Sequence, residues 1–414
     1  MRAAFAQGDY RSAAMQAAQV LALQPDDAEA WLLLGLCWQQ QGRPEPAMHA
    51  LRYCLRLQAD NSEARYSLAI LLWQGGELAA ALQECHALLE RHAAHAPTLS
   101  LSGILHVSLG DAEAARAAFS SALASDPAQI AAHEGLGTLQ MQSGELPGAR
   151  HHLREALRLR LGSPPVARPR PPSSGYDQAS HERLLWQTLA LLATAGVHAF
   201  PFAGTLLGLE REGRLLPFDK DLDVALPYSE MATACACLLQ NGWQEESNPM
   251  RLLNPRSFRH AASGLILDLC GIAQEGDMLI GGFWQAGTPW EWQRIAEYPA
   301  PLQLQQQLRP EGSVWALNQP QQWLVALYGD WQTPDPNFDT VIAAYNLRGF
   351  ALLTECFALD RINHYWRSGQ LHKATALLEH CLRRLPEDAL LRQAQQQLHS
   401  ALARSQQPAQ GSGA

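Results

Sequence analysis

The chain has 414 residues, 47% of them hydrophobic and 17% charged, with a formal net charge of −9 and a pI near 5.9. Such a length is material for two or three domains, and the balance excludes a disordered chain. The acidic total argues against a nucleic-acid partner, which calls for a basic face, and no apolar run reaches the roughly 18 residues that span a bilayer. The N-terminal stretch MRAAFAQGDYRSAA lacks a long apolar core, so a cytoplasmic protein without a transmembrane segment is expected. Eight cysteines, at 37, 54, 85, 235, 237, 270, 356 and 381, form no CxxC pair and are expected to be buried free thiols.

Self-similarity comes first along the chain. Gly8, Gly42, Gly76, Gly110 and Gly144 recur every 34 residues, as do Ala13, Ala47, Ala81, Ala115 and Ala149. Gly35, Ala69, Gly103 and Gly137 mark a third register. A period of 34 with small residues at fixed phase predicts stacked antiparallel helix pairs, because two helices approach closely only where side chains are small. The recurring glycine supplies the turn. In the unit opening at Ala28, Trp31, Leu34, Gly35, Trp38, Ala47 and Leu51 resemble the tetratricopeptide-repeat pattern. Pro25 and Pro127 match its closing proline, whereas Ala59 and Ala93 replace it. Four full units cover about 28–161, and residues 1–27 match only a second helix, so the array is expected to begin mid-repeat, with its first helix missing or Met1 not the native start. The resemblance implies an all-α solenoid over 1–161 whose groove takes a protein or peptide partner.

Residues 162–175, GSPPVARPRPPSSG, carry five prolines and predict a semi-stiff linker. A helix follows from near Tyr176, stopped by Gly196.

After Gly196 the pattern changes from helical to alternating. VHAFPFAG reads as a short strand, Gly204-Thr205 as a turn before a short helix, and LPFDKDLDVAL as a second strand. Side chains alternate along a strand, so Asp219, Asp221 and Asp223 are expected on one face and Lys220, Leu222 and Val224 on the other. Carboxylates two apart repel unless neutralised, and a hard divalent cation resolves the conflict. Asp268 lies within another apolar strand, GLILDLCGI, where a lone acid is costly unless paired or ligating. The four acids predict a one- or two-metal centre for displacement at phosphorus. The turn at Gly204 and Thr205 offers backbone N–H groups to a phosphate.

The stretch AGTLLGLEREGRLLPFDKDLDVALP resembles the signature of the LicD/fukutin family of nucleotidyltransferase-fold enzymes. Gly204, Thr205, Leu206, Leu207, Gly208, Arg211, Gly213, Pro217, Asp219, Asp221, Asp223 and Val224 match in register. A second block, with Tyr328, Gly329, Asp330, Trp331 and Pro334, is similar to the family's YGDW-x-x-P element, and the resemblance spans roughly 180–345. Phe218 replaces the usual Trp, Lys220 stands where acids are frequent, and Glu212 where His is common. The resemblance implies an α+β nucleotidyltransferase-fold domain with a mixed sheet over 176–350. It also implies transfer of a phospho-alcohol, phosphocholine- or ribitol-phosphate-like, from a CDP-linked donor to a glycan hydroxyl. Asp219, Asp221 and Asp223 would then hold Mg²⁺ or Mn²⁺, with Asp221, Asp223 and Asp268 catalytic. Gly204 and Thr205 would bind phosphate and Arg211 would offset its charge. Two other readings remain: a nucleotidyltransferase acting on a small molecule or protein, and a catalytically inactive repeat scaffold. The aromatic cluster Phe283, Trp284, Trp290 and Trp292 is expected to be core.

Gly369, Ala374 and Pro386 keep the mutual offsets of Gly8, Ala13 and Pro25, so 351–404 is expected to return to repeat-like helices that cap the catalytic domain. Residues 405–414, rich in Gln, Gly and Ser, are expected to be a disordered tail.

Overall fold

The computed structural model describes residues 1–166, 177–217 and 221–406, without the side chains of 405 and 406. Most of the proposed linker, Asp219 and nearly all of the expected tail therefore lie outside the described residues. The chain forms two compact units, Met1–Leu139 and Gln140–Ala414.

The first unit is helical: α1 (Arg2–Ala6), α2 (Tyr10–Leu23), α3 (Ala28–Gln40), α4 (Pro44–Leu57), α5 (Ser62–Gln74), α6 (Leu78–Leu89), α7 (Ala96–Ser108), α8 (Ala112–Ser125) and most of α9 (Ile130–Ser143). Local chemistry sets the helix starts. Asp9, Asp27, Asn61 and Asp111 each accept the N–H three residues on, at 3.0, 2.8, 2.9 and 3.0 Å. The predicted turn glycines Gly8, Gly42, Gly76, Gly110 and Gly144 all have φ between +68° and +82°. The third register works by close approach. A Cβ on Gly35 would lie 2.8 Å from Leu51, and one on Gly103 2.5 Å from the ring of Phe119. Before the predicted half-repeat of α2 stands the five-residue α1.

The second unit combines a helical block with a sheet. Its helices are α10 (Leu146–Arg160), α11 (Gln178–Thr194), α12 (Ala203–Glu212), α13 (Met231–Gln240), α14 (Pro320–Tyr328), α15 (Leu352–Ser368), α16 (Leu371–Arg384) and α17 (Ala389–Gln406). The strands are β1 (Phe200–Pro201), β2 (Asp221–Pro227), β3 (Trp243–Glu245), β4 (Leu252–Asn254), β5 (Arg256–His260), β6 (Ile266–Glu275), β7 (Met278–Gln285) and β8 (Arg294–Tyr298), with β9 (Leu304–Arg309) and β10 (Gly312–Leu317) a separate hairpin. The sheet runs β1-β2-β6-β5-β3, and β7 joins β6 to β4 and β8. Only β2 and β6 pair in parallel among the described strands, so the sheet is mixed.

One face of β2 and β6, through Leu222, Val224, Leu267 and Leu269, packs with α11 and α13 in a buried core. The repeat-phased C-terminal helices also pack against α10, through Leu153, Leu157, Cys356, Ile362 and Leu378. Polar contacts fix that seam: Asn363 donates to the Leu153 carbonyl at 3.0 Å, and Arg154 grips Asp388 with bonds of 2.6 and 3.1 Å. These helices thus continue helix-on-helix packing from α10 while Phe357 meets Phe283 of β7. All eight cysteines are free. Among the described residues no helix is long and apolar enough to cross a membrane.

Candidate active site

Strand alternation and parallel pairing build the site. Along β2, Asp221 and Asp223 are half-buried while Leu222 and Val224 are buried, so the two acids share a face as predicted. On β6 the register sets Asp268 directly beside Asp223, with Asp221 beside Ile266. All three acids line one cavity of about 930 Å³.

Hydrogen bonds hold Asp223 through both its backbone and its side chain. Its carbonyl accepts the Phe202 N–H at 3.0 Å, its own N–H donates to Thr205 Oγ1 at 2.8 Å, and its Oδ2 accepts the Gly204 N–H at 2.9 Å. The helix start that delivers these groups has Ala203 at φ +39°, a conformation costing about 1–3 kcal/mol for a residue with a side chain. Gly208, one turn on, admits the returning chain: a Cβ there would lie 2.8 Å from both the Arg214 carbonyl oxygen and the Leu216 nitrogen. The predicted phosphate turn is therefore the first turn of α12, and its groups serve Asp223. Thr205 is 1% exposed and is not among the lining residues; Gly204 is. That is a correction to the expectation that both face a phosphate.

Asp268 accepts a 2.5 Å hydrogen bond from Ser257 Oγ on β5. Burial pushes its carboxyl up to about 6; the Ser257 bond opposes that shift and the charge of Asp221 adds to it. The neighbouring Cys270 thiol is pushed up by burial and by the charges of Asp223 and Asp268.

Arg211 lines the cavity with only 13% of its side chain exposed. It reaches the Trp331 carbonyl and Glu212 at 3.4 Å each, while its buried Nε finds no acceptor among the described residues. The arginine thereby ties α12 to the second predicted block. Tyr328, Asp330, Trp331 and Pro334 of that block all line the cavity. Within the aromatic cluster, Trp284 is buried as expected of core and packs on Tyr228 and Trp290 at 4.9 and 5.7 Å, whereas Trp290 is 44% exposed and departs from that expectation. Phe283 lines the cavity as well.

Residues not singled out from sequence form the rest of the wall. Arg294, 4% exposed, donates to the carbonyls of Val341 and Thr340 at 2.7 Å each and lies over the Phe283 ring. Arg361, His380 and Arg383 reach the cavity from α15 and α16. A lone arginine in a strand, or basic residues on a repeat-like helix, carry no spacing signal that separates them from solvated positions.

The donor chemistry of the acids, oxygen only, suits Mg²⁺ or Mn²⁺. Among the described residues no group of three His, Cys, Asp or Glu stands close enough to hold a metal, and Asp219 lies outside them. Two carboxylate oxygens are already engaged, by the Gly204 amide and the Ser257 hydroxyl.

Comparison with known proteins bears on the N-terminal part. The tetratricopeptide-repeat family model matches residues 2–52, 39–96 and 101–164, so this part of the chain carries tetratricopeptide repeats. MamA from Desulfovibrio magneticus RS-1 is 19% identical, with 39% of this chain and 92% of that one covered and a TM-score of 0.36. TTC0263, a thermophilic TPR protein of Thermus thermophilus, is 22% identical over 38% of this chain and 86% of its own, at a TM-score of 0.33. YrrB, described as a TPR protein with an unusual peptide-binding site, is 17% identical over 38% and 82%, at 0.34. No curated protein matches the chain.

Proposed function

We propose that the protein joins a repeat scaffold for protein or peptide partners to a metal-dependent phosphotransferase of the LicD/fukutin type. The donor is a CDP-linked alcohol and the acceptor a glycan hydroxyl. One observation carries the enzymatic part: Asp223 and Asp268, neighbours on parallel strands, open with Asp221 into a single cavity. Their backing residues are the ones that the signature around Gly204 and Thr205 supplies.

In this reading Asp221 and Asp223, with Asp219, would hold Mg²⁺ or Mn²⁺, which when bound neutralises charge on the donor diphosphate. Asp268 accepts the proton of the acceptor hydroxyl. The acceptor oxygen bonds to the phosphorus that carries the alcohol, and the bond to the CMP phosphate breaks. Arg211 offsets phosphate charge from α12. Ser257 orients Asp268, and the Gly204 amide orients Asp223. Positioning and charge neutralisation provide most of the rate at phosphorus.

A second reading is favoured by a specific observation: the repeats match a family model of tetratricopeptide repeats. On that reading the chain is an inactive scaffold. Purified protein with Mg²⁺ and a panel of CDP-alcohols separates the two. Donor turnover in the wild type that is lost in Asp223→Ala supports the enzyme. Equal turnover in both, or none in either, favours the scaffold.

A further inference from the structure

The acids reach the cavity from β2 and β6, and the reading above gives no task to the helices that line it as well. Arg361 on α15 and His380 and Arg383 on α16 are among its lining residues. Three residues apart on one helix, His380 and Arg383 share a face. The loop after α14 fixes their surroundings. Arg361 bonds to Asp339, whose Oδ1 accepts the N–H groups of Val341 and Ile342 at 3.0 and 3.2 Å. The His380 ring meets Phe338 edge-on at 6.2 Å. Arg294 holds the same loop by its carbonyls. Asp335 also lines this wall and engages the Asn337 N–H at 2.9 Å. Arg294, Arg361 and Arg383 share the cavity lining with the carboxylates of Asp330 and Asp335, and Asp339 pairs with Arg361. Arg383 is exposed and His380 half-buried, and both line the cavity.

A substrate with more than one phosphate carries more charge than a cation held by Asp221 and Asp223 offsets, and the remainder calls for fixed positive charge elsewhere. Guanidinium groups match phosphate oxygens in geometry as well as charge. We infer that the α15–α16 wall is a phosphate subsite: Arg383 and His380 contact a phosphate group of the substrate, and Arg361 and Arg294 supply fixed charge behind them. This rests on the phosphotransferase reading and deepens it, because it makes the repeat-phased C-terminal helices part of the substrate site. The phosphate belongs either to the nucleotide donor or to a phosphorylated glycan.

The test is calorimetric titration of the full chain, in chelator and without metal, with CDP and separately with glucose 1-phosphate. The wild type is expected to bind at least one probe, and the probe identifies the source. The double variant His380→Gln/Arg383→Gln is expected to weaken that probe about tenfold or more. Arg383→Gln alone, at an exposed position, is expected to cost about threefold and decides the matter if the double variant does not fold. No binding by the wild type, or affinity unchanged in the variants, overturns the subsite. Binding that behaves as expected without CDP-alcohol turnover removes the phosphotransferase and keeps the subsite; turnover with unaltered variant affinity removes only the subsite.

Discussion

The repeats of Met1–Leu139 and the sheet around β2 and β6 are built on opposite principles. In the repeats each contact is local and recurs: a cap, a glycine turn and a small residue under a large one, as Gly103 lies under Phe119. In the sheet nothing recurs. Asp223 and Asp268 are 45 positions apart in the chain and become neighbours only through one parallel pairing. Redundancy makes a solenoid tolerant and divisible. A site assembled once from distant strands concentrates consequence in single residues.

The sharpest way to break that contrast is Asp223→Ala. In the phosphotransferase reading turnover should fall about thousandfold, near 4 kcal/mol of transition-state stabilisation, measured as CMP release from the active CDP-alcohol. Retained turnover would mean that the strand pairing concentrates nothing. The counterpart in the repeats is Phe119→Ala. This ring is 1% exposed between α7, α8 and α9, and its loss should cost about 3–5 kcal/mol locally. Hydrogen exchange should show lost protection in α7–α9 and none in β2 or β6. Loss spreading through the sheet would refute a divisible array.

How much was legible in the sequence follows the same line. The turn glycines and the close approaches at Gly35 and Gly103 were readable because one requirement is written several times. The shared face of Asp221 and Asp223 was readable from the period of two. Their partnership with Asp268 was readable only as an expectation, since strand order and register are long-range facts. Thr205 was expected to face a phosphate beside Gly204, but its hydroxyl accepts the Asp223 N–H while the Gly204 N–H donates to the Asp223 carboxylate, and sequence does not say which partner each group takes. Ser257 gave no signal, being an ordinary strand serine until β5 pairs with β6. Arg361, His380 and Arg383 were hidden for another reason, because a repeat-like helix also carries basic residues on its solvated faces.

Ser257→Ala sharpens the comparison at smaller scale. The hydroxyl donates to Asp268 at 2.5 Å from a neighbouring strand, so its loss releases the carboxylate without removing it. Turnover should drop about tenfold, near 1.4 kcal/mol, with Ser257→Thr restoring most of it. The effect should appear in kcat and leave KM for the donor nearly unchanged, since the serine is a positioning residue.

The smallest effect concerns the seam where α10 meets the C-terminal helices, a packing of the repeat kind inside the unit that holds the sheet. Burial acts to raise the carboxyl of Asp388, but the bonds from Arg154 and from the Leu391 N–H outweigh it and leave the group below its usual value of 3.8. A group depressed on folding contributes stability that is complete above the unfolded value and vanishes as pH falls through the folded one. Arg154→Met should therefore destabilise the protein near neutral pH by about 1 kcal/mol, modest because the arginine is partly exposed and screened. Urea denaturation of wild type and variant, followed through tryptophan fluorescence, should show the gap closing as pH drops below about 4. A gap unchanged down to pH 2 would place the contribution of Arg154 in its packing on α10 rather than in its charge, and the seam would then be held as the repeats are, by shape.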